Sequence, residues 1–144
     1  MEPINQYFEF LQEKLKAAQT TQLDNIKKAA TMILNSVNQG GNFYVFGSGH
    51  SHMVAEELYT RAGGLSFVQA ILPPELMLHQ MPRKSTNLER LSGYAKAIID
   101  LYPVSEKDTI LIITNSGRNN VPIEFCLEAQ KKGAQVIALT SLRH

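Results

Sequence analysis

Phe43-Tyr44-Val45-Phe46-Gly47-Ser48-Gly49-His50-Ser51 joins an unbroken apolar run to a glycine–serine turn. A strand with no polar alternation is expected where both faces of a parallel sheet are covered. The same arrangement recurs downstream, where Ile110-Leu111-Ile112-Ile113 leads into Asn115-Ser116-Gly117-Arg118-Asn119. Each turn is followed by a stretch that can be helical. Strand, tight turn and helix together place unpaired backbone N–H groups and hydroxyls at a helix start, where an anion is held. One such turn is a weak signal. Two at matching positions of successive βα units point to a shared anion pocket.

Outward from these turns, the chain reads as βα alternation from residue 42 onward. After Phe43–Phe46, a helix is expected over Ser51–Ala62, closed by Gly63-Gly64, and a second strand over Ser66–Leu72, stopped by Pro73-Pro74. A short helix around Glu75–His79 and a loop through Pro82-Arg83-Lys84 follow. Asn87–Asp100 is expected to be helical, with Leu88, Leu91, Ala95, Ile98 and Ile99 inward. Then come a third strand over Thr109–Thr114, a helix over Val121–Lys132 with Pro122 in its first turn, and a fourth strand over Gln135–Thr140. The pattern is that of an α/β doubly wound parallel sheet.

Residues 1–40 read as two helices. Ile4, Phe8, Leu11 and Leu15 form one apolar stripe, and Leu23, Ile26, Ala30, Ile33 and Val37 form another. Thr20-Thr21 is read as the break between them, and Gly40-Gly41 as the end. The pair packs either on the chain's own α/β domain, 41–144, or on a second copy. At the other end Val136-Ile137-Ala138-Leu139 reads as a strand buried on both faces, yet four residues follow Thr140. No helix remains to cover it, so the C-terminal part of the fold is expected to be missing.

Composition narrows the class. The chain has 144 residues and a formal net charge of +1, so it lacks the basic footprint of a nucleic-acid binder. Its single cysteine, Cys126, can form no internal disulfide, and the start of the chain has no basic segment followed by an apolar core. No apolar run is long enough to span a bilayer. A cytoplasmic protein is expected, with no nucleic acid and no membrane among its partners. Gly47 and Gly49 match the first two positions of a dinucleotide fingerprint, but position 52 is His and Ala70-Ile71-Leu72 offers no acid for a ribose. A P-loop would need Gly-Lys-Ser/Thr, which is absent from the sequence.

Taken in order, the N-terminal helix pair, Phe43–Ser51, Ala55-Glu56-Glu57-Leu58, Asn115–Asn119 and Ala138-Leu139-Thr140-Ser141 resemble the sugar isomerase (SIS) domain, a phosphosugar-binding fold. Within it the chain is similar to bacterial proteins resembling phosphoheptose isomerase. The resemblance implies a flavodoxin-like three-layer sandwich, a homo-dimer or homo-tetramer, and a sugar-phosphate ligand held without a cofactor. The two turns supply Gly47, Ser48, Gly49, Ser51, Asn115, Ser116, Gly117 and Asn119 as expected ligand contacts, with Arg118 either reaching an anionic group or lying at the surface or a dimer contact, and the resemblance adds Thr140 and Ser141 in a third turn. By the Ala-Glu-Glu-Leu match it implies Glu57 as the base of an aldose–ketose isomerisation; His50, in the first turn, is read as lining the pocket and assisting, or else as capping or core packing. Glutamate suits that proton transfer when its pKa is raised.

The family's zinc-binding histidine falls at Met53 here, so no metal is expected, although His52 and Glu56 share a helix face. The alternative to an isomerase is a non-catalytic sensor that binds the same sugar phosphate.

Overall fold

A computed structural model describes residues 2–142. It divides at Met32/Ile33 into a helical unit and an α/β unit. Helix α1 runs unbroken from Pro3 to Asn38, which corrects the expected helical pair. Thr20 and Thr21 do not break it because their hydroxyls donate to carbonyls one turn back, Lys16 O at 3.0 Å and Ala17 O at 2.7 Å respectively. No Gly or Pro lies between Ile4 and Asn38 to interrupt the ladder. The helix ends where expected: Gly40 takes φ +76° and the Gly41 N–H returns to Ser36 O at 2.9 Å. The buried Ser36 hydroxyl donates to Lys107 O, tying this end to the loop before the third strand.

The sheet has strands β1 (Phe43–Gly47), β2 (Val68–Ile71), β3 (Thr109–Thr114) and β4 (Gln135–Thr140), all parallel in the order β2-β1-β3-β4. Side-chain alternation along β1 splits the core in two. Tyr44 and Phe46 join Ile110, Ile112, Val121 and Phe125 on one face, while Phe43 and Val45 join Ala55, Val68 and Ile113 on the other. Phe46 stacks on Phe125 with ring centroids 4.1 Å apart. The helices α4 (Tyr94–Ile99) and α5 (Asn120–Lys131) supply the first face; α2 (His52–Leu58) and Ile33 supply the second. This is the doubly wound α/β arrangement read from the alternation of elements.

Several boundaries move. Helix α2 stops at Leu58 instead of continuing to Ala62, because Tyr59 is extended and Thr60 takes φ +49°. Only a 3₁₀ turn, Pro74–Leu76, occupies the stretch expected as a short helix. The expected loop at Pro82-Arg83-Lys84 is the first turn of α3 (Pro82–Leu88), with Pro at its first position. The expected helix over Asn87–Asp100 is broken between α3 and α4. Gly93 there takes φ +80°, and its N–H and the Ser92 hydroxyl each donate to the Glu124 carboxylate of α5 at 2.8 Å. Strand β4, expected to be buried on both faces, lies at the sheet edge and is intermediate or exposed throughout.

Candidate functional site

From β1 the chain crosses to β2 on one side of the sheet and then to β3 on the other, so the connections leave the carboxyl ends of β1 and β3 in opposite directions. Crevices at such reversals bind ligands in open α/β sheets, and both turns sit there. The first folds tightly because Gly47 has no side chain. A Cβ at that position would lie 2.5 Å from Ser51 O and 2.9 Å from His52 N. Gly49 takes φ +58° and starts the 3₁₀ turn Gly49–Ser51, which feeds α2. His52 is buried and braces this turn, with Nδ1 2.5 Å from Gly49 O and Nε2 3.3 Å from Glu56 Oε1. Neither His52 nor Glu56 lines the cleft.

The second turn is held from within. Thr114 Oγ1 accepts the Gly117 N–H at 3.2 Å, Ser116 Oγ accepts the Arg118 N–H at 3.4 Å, and Gly117 takes φ +62°. Ser141 N–H donates to Asn115 O at 3.2 Å, which fastens the third turn beside it. Asn119 has extended backbone before α5, but its side chain does not cap the helix. It donates instead to Glu89 Oε1 at 2.7 Å.

The turns enclose a cleft of two cavities. One, of about 330 Å³, is lined by Ser48, Gly49, His50, Ser51, Asn115, Ser116 and Asn119, with Thr86 and Glu89 facing them. The other, of about 430 Å³, lies toward β4 and adds Val54, Ile113, Leu139, Thr140 and Ser141. Both volumes are in the range of small-molecule sites, and His50, Ser51, Thr114 and Asn115 form their shared wall. Gly47, Gly117 and Arg118 shape the turns without lining either cavity. Among the described residues no Lys or Arg lines the cleft, and the amides, hydroxyls and start of α5 there are groups that attract an anion.

Glu89 is the residue that sequence reasoning missed. Ser48 Oγ donates to its Oε2 at 2.8 Å and Asn119 Nδ2 to its Oε1 at 2.7 Å, so one carboxylate links the two turns. Its backbone oxygen accepts the Val121 N–H at 3.0 Å. Among the described residues it is the only carboxylate lining either cavity of the cleft. The structure does not bring Glu57 there. That side chain is 65% exposed and paired with Arg61, which lies beyond the end of α2. Thr114 was also missed, although its place at the carboxyl end of β3 was a usable signal.

The SIS domain profile matches residues 6–141. The chain belongs to the SIS domain family. It is 55% identical over 138 residues to a UPF0309 protein of Halalkalibacterium halodurans, covering 96% of this chain and 57% of that protein. It is 50% identical over 131 residues to a UPF0309 protein of Thermoanaerobacter pseudethanolicus, covering 90% and 52% respectively. The SIS chain thus spans little more than half the length of these relatives. Among solved structures it is similar to a phosphoheptose isomerase of Neisseria gonorrhoeae, with TM-score 0.75, 19% identity and coverage of 96% of this chain and 74% of that one. A phosphoheptose isomerase of Francisella tularensis matches with TM-score 0.69 and 25% identity, over 95% and 72%. No helix of the described residues is long and apolar enough to cross a membrane.

Proposed function

We propose that this SIS domain binds a phosphorylated sugar, that the chemistry it serves is aldose–ketose isomerisation by a glutamate base, and that it works as a homo-oligomer in the cytoplasm. The observation that carries the reading is the meeting of two hydroxyl- and amide-rich turns over one cleft at the sheet's switch point. Family membership and the likeness to phosphoheptose isomerases support it. The cleft suits a ligand with one anionic end and a hydroxylated body. The phosphate goes to the donors of Ser51, Ser116 and the turn amides, away from Glu89, whose negative charge repels it. The sugar hydroxyls then face Thr86, His50 and the carboxylate.

Thermal melts against hexose, heptose and amino-sugar phosphates test this reading, with inorganic phosphate and unphosphorylated sugars as controls. A ligand at about a hundred times its Kd adds roughly 2.7 kcal/mol of stability, enough to move the midpoint by several degrees. The expected result is a shift with a sugar phosphate that neither control reproduces. A cooperative melt unmoved by every sugar phosphate would overturn the proposal.

A further inference from the structure

We infer that Glu89, and not Glu57, is the base that moves the proton between neighbouring sugar carbons, an assignment resting on the sugar-phosphate reading above. A base has to reach a carbon of a ligand held in the cleft, so its position comes first. Glu57 lines neither cavity, and its carboxylate is held by Arg61. Glu89 faces the cavity shared by both turns and is fixed from three directions: by Ser48, by Asn119 and through its own carbonyl by Val121. Each carboxylate oxygen accepts one hydrogen bond from the protein and keeps further lone-pair sites for substrate. The turns that take the phosphate are also the ones that hold the base. Phosphate position and base position are therefore set by the same structure, which is what a near-attack geometry requires.

The step balances without a cofactor. Glu89 takes the proton from C2 of the open-chain aldose, and the C–H electron pair becomes the C1=C2 bond. The former C1=O pair moves onto O1, which takes a proton from the His50 ring. In the second half Glu89 returns its proton to C1 while O2 gives its proton back to His50, so C2 becomes the carbonyl carbon. Both side chains end as they began.

The test follows exchange of the C2 hydrogen of aldose phosphates in deuterated water by NMR, with thermal melts on the same samples. Glu89→Gln keeps the shape of the side chain and removes the base. It should retain the sugar-phosphate shift in the melt and lose exchange by at least about 100-fold. Glu89→Ala should lose exchange and regain part of it with added formate, a recovery that a merely structural role does not give. Exchange at the wild-type rate in Glu89→Gln overturns the assignment, as does a loss confined to Glu57→Gln. A wild-type chain that binds sugar phosphate without exchanging C2 also overturns it, leaving a sensor. A wild-type melt unmoved by every sugar phosphate removes the underlying reading instead.

Discussion

Gly47 closes β1 at a point where the chain folds back within four residues, and the fit leaves no room for a methyl group. Because the atoms it would strike are backbone, Ser51 O and His52 N, no rotamer change relieves the contact. Gly47→Ala should therefore cost about 1–3 kcal/mol, the usual range for overpacking, read as a lower midpoint in chemical denaturation. It should also splay Ser48 away from Glu89 and weaken sugar-phosphate binding beyond what the stability loss explains. An alanine variant with the wild-type midpoint would show that the turn relaxes freely. The glycines and serines of both turns were legible in the sequence because turn chemistry is local. Glu89 was not, since Ser48 and Asn119 lie 41 and 30 residues away from it in the chain. Its local surroundings resemble the polar side of an ordinary amphipathic helix.

Elements were legible where their boundaries are written locally and obscured where a distant hydrogen bond sets them. Strands β3 and β4 start and stop at the expected residues, being apolar runs flanked by turn residues. The break between α3 and α4 depends on Glu124, about thirty residues downstream, which draws Ser92 and Gly93 out of the helical path. Asp108 acts in the same non-local way at the other end of the sheet. It is 1% exposed, and it accepts from Asn42 N at 2.6 Å, Ser105 N at 2.7 Å and Ser105 Oγ at 2.9 Å. One carboxylate thus joins the start of β1 to the start of β3. Asp108→Ala would leave two part-buried amides without their acceptor, and hydrogen bonds to charged groups contribute about 1.5–3 kcal/mol each. A loss of at least that size is expected in urea unfolding, with lost amide-exchange protection centred on Asn42 and Ser105. If the variant melts like the wild type, water has replaced the carboxylate and the clamp is dispensable.

For the molecule as a whole, the open question in the sequence was what the N-terminal stripes pack against. Residues 3–38 form one helix, about 54 Å long at 1.5 Å per residue. The second stripe is offset by one residue from the first, since Leu15 to Leu23 is eight positions and not seven. Thr20-Thr21, read as the break between the two stripes, lies inside that one helix. On the helical unit Ile4, Phe8 and Leu15 are 63%, 58% and 72% exposed, at spacings that form a heptad-like seam. A second copy of the chain supplies a matching seam by symmetry, and burying one such side chain contributes about 1.5–3 kcal/mol. Sedimentation velocity should accordingly show a dimer or tetramer for the wild type and a smaller species for Phe8→Glu/Leu15→Glu. The melt of the α/β unit should change little in that variant, because neither residue belongs to its core clusters. A monomeric wild type would sink the homo-oligomer. A wild type whose oligomer survives the double substitution would move the interface elsewhere, with the exposed apolar side chains of edge strand β4, Leu139 among them, as the next place to introduce charge.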